Sequence, residues 1–128
     1  MLKIQSLSAK EIADSRGNPT IEVTLTTAGG SGTASVPSGA SVGAHEARVV
    51  EPAVAVAQIN TEINTALSGQ EFDQKSLDEF LITLDGTPDR SRLGGNALLG
   101  VSLAFARAAA AEQKVELYTY FGNAAGNT

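Results

Sequence analysis

Thr20-Ile21-Glu22-Val23-Thr24-Leu25-Thr26-Thr27 is the stretch from which the fold is read. Ile21, Val23 and Leu25 alternate with Thr20, Glu22, Thr24 and Thr26, the period of a half-buried strand. The sequence on both sides supports that assignment. Upstream, Ser15-Arg16-Gly17-Asn18-Pro19 reads as a turn whose glycine and asparagine tolerate positive φ. Before it, residues 2–14 read as a first strand, with Leu2 and Ile4 on one face and imperfect alternation beyond them. Downstream, Ala28-Gly29-Gly30-Ser31-Gly32 reads as a hairpin turn. Residues 33–36 form a short third strand, ended by Pro37, which also biases Val36 toward extended angles. Three strands joined by short turns make an antiparallel meander.

The period then changes. Pro52 suits the first turn of a helix, where its missing N–H costs nothing. Val56, Ile59, Ile63, Ala66 and Leu67 recur at helical spacing, and Gly69 closes the helix. Asp73 is placed to cap a second helix with a core stripe of Leu77, Phe80, Leu81 and Leu84, stopped by Gly86. Thr87-Pro88-Asp89 is a turn, with Asp85 and Asp89 as its organisers. Residues 96–113 predict the longest helix, apolar around most of its circumference until Arg107 and therefore central and buried. Leu98, Val101, Leu103 and Phe105 are its expected core residues, and Gly100 implies a close neighbour. A short last helix carries Leu117, Tyr118 and Phe121, and residues 122–128 read as linker. Strands first and helices afterwards is the α+β order, with three to four helices packed on one face of the sheet.

The 128 residues are 42% hydrophobic and 18% charged, which suits one ordinary globular domain. There is no cysteine, hence no disulfide or thiolate site, and a single histidine, which speaks against zinc. A net charge of −5 without a basic patch makes a poor partner for nucleic acid or anionic membrane. The longest apolar stretch, 97–106, is too short for a membrane span, which needs about 20 residues. Residues 1–6 hold no apolar signal core. Together these features point to the cytoplasm.

Between strands and helices lies Val36-Pro37-Ser38-Gly39-Ala40-Ser41-Val42-Gly43-Ala44-His45-Glu46-Ala47, rich in small residues and holding the only histidine. Such a loop can bring amides and hydroxyls close to a ligand. Gly39-Ala40-Ser41-Val42-Gly43 spells the G-x-S-x-G elbow of serine hydrolases. In those enzymes, however, the histidine comes late in the chain, after the acid, whereas His45 stands four residues past the serine. No lysine lies between Lys10 and Lys75, which excludes a phosphate-binding P-loop. His45 is either a group titrating near neutral pH or a structural anchor of the loop. Glu11, Asp14 and Glu22 resemble a metal cluster only on paper, because Glu22 falls on the solvent face of its strand.

Residues 36–47 closely resemble the mobile active-site loop of enolase (phosphopyruvate hydratase). Three further segments agree in order: Asp14-Ser15-Arg16-Gly17-Asn18-Pro19-Thr20, Leu84-Asp85-Gly86-Thr87, and the run from Leu93-Gly94-Gly95-Asn96 through Ala104. The chain thus resembles the N-terminal capping domain of that family. The resemblance implies a domain over residues 1–121 and a linker, 122–128, toward a C-terminal (β/α)₈ barrel of about 250 residues that the 128 do not contain.

By that resemblance the parent enzyme interconverts 2-phosphoglycerate and phosphoenolpyruvate plus water. A lysine base, an assisting glutamate and the main metal carboxylates all belong to the barrel, so this chain alone is expected to be inactive. Ser38, Gly39, Ala40, Ser41 and His45 become active-site loop residues, with Ser41 a ligand of the second magnesium; a neutral hard oxygen suits that ion. Arg16 falls at the subunit contact of a homo-oligomer, dimer or octamer. Two departures stand out. The chain is shorter than typical enolases between Glu46 and Gln58, and Val42 and Gly95 replace a usual threonine and alanine. A rival of another class is a standalone, non-catalytic domain that docks on a partner.

Overall fold

The computed structural model describes residues 2–36, 50–87 and 92–114. Its centre is the expected meander. Strands β1 (Leu2–Ala13), β2 (Pro19–Thr27) and β3 (Gly30–Ser35) pair antiparallel in sequence order. Ile21, Val23 and Leu25 are fully buried, as their alternation requires. The hairpin is tighter than the glycine run suggests. Ala28 and Gly29 make the turn, and Gly30 and Gly32 already pair with Thr27 and Leu25. The irregular alternation of β1 has a cause: its register against β2 slips between Ile4 and Ser6. This bulge lets Ile4 and Leu7, three residues apart, both face the core.

A fourth strand, β4 (Glu71–Phe72), extends the sheet to the order β3-β2-β1-β4. Two residues are too few to show a period, so this strand is invisible in the sequence. Between the third and fourth strands come α1 (Pro52–Gln58), a π-helical turn Ile59–Ile63, and α2 (Asn64–Leu67), continuous in backbone and together filling the predicted first helix. Pro52 stands at its start as expected. Asn60 in the turn and Asn64 at the start of α2 face β1. Asn60 accepts from Ala9 N–H at 2.8 Å and donates to the Ala9 carbonyl at 3.1 Å, and Asn64 accepts from Leu7 N–H at 3.0 Å.

Helix α3 (Gln74–Asp85) opens on a reciprocal cap. Asp73 accepts from Ser76 N–H at 2.8 Å, and the Ser76 hydroxyl accepts from Asp73 N–H at 2.9 Å. Gly86 ends the helix in the left-handed conformation, φ 74°. Helix α3 packs mainly on α4 rather than on the sheet.

Helix α4 (Gly95–Gln113) lies across β2 and β3. Two glycines make the crossing close. A Cβ on Gly32 would stand 2.3 Å from the Ala104 carbonyl oxygen, and one on Gly100 would stand 2.7 Å from Val23 Cγ2. The expectation that Gly100 has a close neighbour is met. Leu98, Val101 and Phe105 are buried, whereas Leu103 is half-buried at the margin of the core. Among the described residues no helix is long and apolar enough to cross a membrane. The predicted helix with Leu117, Tyr118 and Phe121, and the tail 122–128, lie outside the described residues.

Candidate functional site

Ser38, Gly39, Ala40, Ser41 and His45 lie outside the described residues, but the points from which their segment leaves and rejoins the domain are described. At the first, Val36 continues β3. Its N–H donates to the Ile21 carbonyl at 3.0 Å, and its own carbonyl accepts from the Thr20 hydroxyl. Val36 is buried, and its Cγ2 lies 3.2 Å from where a Cβ on Gly100 would stand.

At the second point, Val50 is held by one side chain. Asn96 Oδ1 accepts from Val50 N–H at 3.1 Å, and Asn96 Nδ2 donates to the Val50 carbonyl at 3.0 Å. The Val50 side chain sits over Gly94, where a Cβ would be 2.6 Å from its Cγ2. Gly94 also has φ 98°, so both space and backbone call for glycine. Val36 and Val50 therefore rest on the same end of α4. Gly94 and Gly100 are six residues apart, about 9 Å along a helix.

The start of α4 is itself fixed by Asp85. One carboxylate oxygen accepts from Thr87 N–H at 2.9 Å and from the Thr87 hydroxyl, and the other accepts from Leu93 N–H at 2.7 Å. Burial alone would raise this pKa; the bonds from Thr87 and Leu93 and the nearby Arg92 charge outweigh it, and the group stays below its ordinary value. Arg92 donates to the Asp85 carbonyl at 2.8 Å and grips Glu62 at 2.9 and 2.8 Å. That bond from Arg92 holds the Glu62 carboxyl below its ordinary value. The π-helical turn, the end of α3 and the start of α4 are thus tied at one place. Asp85 organises the turn as expected, and Asp89 lies outside the described residues.

Arg16 is exposed, at the tip of a turn built by Asp14. Asp14 Oδ1 accepts from Arg16 N–H and Asn18 N–H, each at 2.9 Å, and Gly17 takes φ 81°. Glu22 pairs with Lys10 at 3.5 Å across the outer face of the sheet, as a solvated charge does. Among the described residues no three or more carboxylates or histidines gather where a metal ion could sit. The donors described do not by themselves fit magnesium.

Sequence reasoning missed Asn96, Arg92 and Glu62. Gly94-Gly95-Asn96 reads as the start of a helix, but nothing local indicates that the amide turns to a residue 46 positions earlier.

Residues 4–121 match the family described as "Enolase, N-terminal domain". Among curated proteins the chain is 53% identical to Enolase 2 of Pseudomonas syringae pv. syringae (strain B728a), over 94% of its own length and 31% of that enzyme's. It is 52% identical to Enolase 2 of Pseudomonas syringae pv. tomato (strain ATCC BAA-871 / DC3000), with the same coverage. It is 50% identical to Enolase 1 of Lactococcus lactis subsp. cremoris (strain SK11), over 93% of the chain and 31% of that enzyme. The chain thus spans about a third of the length of the curated relatives it matches. The meander, the helices that follow it and a match across nearly the whole chain lead to one conclusion: it belongs to the enolase N-terminal domain family.

Proposed function

We propose that the chain serves an enolase that interconverts 2-phosphoglycerate and phosphoenolpyruvate plus water in glycolysis. The observation that carries this is the identity of 50–53% to three bacterial enolases over at least 93% of the chain. Residues 1–121 form the capping domain and 122–128 lead toward a C-terminal barrel, where the base, the acid and the carboxylate metal ligands stand.

The contribution of this chain is the segment with Ser38, Gly39, Ala40, Ser41 and His45. It brings small side chains, backbone amides and the Ser41 hydroxyl to the phosphate end of the substrate. Ser41 offers magnesium a neutral oxygen ligand. Magnesium, when bound, supplies stabilisation of the negative charge that develops on the substrate. Arg16, exposed on the turn held by Asp14, faces another subunit of a cytoplasmic homo-oligomer, and Arg16→Glu should weaken that assembly in size-exclusion chromatography.

The test is turnover of 2-phosphoglycerate by the full-length protein and its Ser41→Ala variant. The wild type should form phosphoenolpyruvate in the presence of magnesium. The variant should lose kcat while the barrel-held metal still binds. A wild type without turnover removes the enolase activity, and an unchanged variant rate at saturating magnesium removes the role of Ser41.

A further inference from the structure

Asn96, the second residue of α4, does not cap that helix. The N-cap of α4 is Gly94, with no side-chain cap bond, and the Asn96 amide is turned to Val50 instead. It meets the N–H and the carbonyl of the same residue, as a neighbouring strand would. Asn96 is buried, whereas Val50 is only half-buried and has no strand or helix of its own. Water could satisfy a half-exposed backbone group, so avoiding an unpaired donor does not by itself account for the arrangement. What two bonds from a buried, rigid helix add is a fixed position. Gly94 beneath Val50 completes the seat, since any side chain there would push Val50 away.

We infer that Asn96 is a positioning residue of the proposed active site: it fixes where the segment bearing Ser41 rejoins the domain. This rests on the enolase reading above. Asn96 touches neither substrate nor metal and acts through Val50. Asn60 provides an internal comparison, because it makes the same two-point contact with Ala9, on a strand far in sequence from that segment.

The experiment compares Asn96→Ala, Asn96→Asp, Asn60→Ala and Ser41→Ala in the full-length protein. It reads kcat and KM for 2-phosphoglycerate, the unfolding midpoint, and amide hydrogen exchange at Val50. Small displacements of groups outside the chemistry are enough to lower rates strongly. Asn96→Ala should therefore lower kcat about ten-fold or more at temperatures where the protein stays folded, and expose the Val50 amide to exchange. Asn60→Ala should keep kcat even where its midpoint falls as far. Asn96→Asp retains the acceptor and loses the donor, so its rate should lie between wild type and Asn96→Ala; it also replaces the alanine variant should that fail to fold. A kcat for Asn96→Ala or Asn96→Asp equal to that of Asn60→Ala overturns the inference, as does a Val50 amide still protected in Asn96→Ala. If Ser41→Ala loses rate and the Asn96 variants do not, only this inference fails. If Ser41→Ala also keeps its rate, the assignment of the site fails with it.

Discussion

Two buried or half-buried carboxylates respond to pH in opposite directions. Asp85 is 1% exposed and has its pKa lowered, so its ionised form is the one that stabilises the fold. That stability is present above the unfolded-state pKa and is lost as pH falls through the lower folded one. Asp85→Asn puts an amide nitrogen or a single acceptor where three donors converge. It should cost about 1–3 kcal/mol at neutral pH, the price of an unsatisfied buried donor. Chemical unfolding over a range of pH should show the gap closing in acid. In Asp78, burial raises the pKa, against hydrogen bonds from Ser102 and Gln74. Its contribution is present below the unfolded pKa and lost as pH rises through the higher folded one. Asp78→Asn should therefore leave stability at neutral pH unchanged or improved in the same unfolding experiment. The Asp73 cap and the role of Asp85 were legible because their partners lie within eight residues in the chain. The partners of Asn96 and Arg92 lie 46 and 30 residues away, and no local pattern encodes such pairings.

The elements most clearly written in the sequence are those with a sustained period. Strand β2 and helices α3 and α4 fall where their apolar stripes put them. The bulge in β1 disturbs the alternation without marking its own position, and the π-helical turn at Ile59–Ile63 leaves helical spacing intact, so both emerge only from packing. Gly32 was read as part of a turn, yet its role belongs to the contact between β3 and α4. A Cβ there would stand 2.3 Å from both Ala104 O and Ala108 N, backbone atoms that cannot rotate away. Gly32→Ala should destabilise the domain by about 3 kcal/mol or more, toward the upper end of overpacking costs. Gly100→Ala meets Val23 and Val36 side chains instead, and should cost about 1–3 kcal/mol. Urea denaturation of the two variants side by side checks the order.

For the whole molecule, the meander followed by helices was evident from order and period, whereas the proposed site rests on resemblance to a known loop rather than on physics. A run of small residues with one histidine admits many uses. Under the proposed division of labour, the 128-residue chain alone should not convert 2-phosphoglycerate. It should also show no submicromolar magnesium binding in calorimetry, because a serine oxygen without a set of carboxylates is a weak site. Turnover that follows this chain through purification, or tight magnesium binding, would contradict that division. One more consequence follows from Asn60 and Asn64. By meeting the backbone of Leu7 and Ala9 with side chains, they close much of one border of the sheet to foreign strands. A side chain, unlike another strand, offers no fresh row of amides beyond itself, so it ends a sheet instead of extending it. The two asparagines thus finish that border of the sheet with side chains, beneath the helix that carries them.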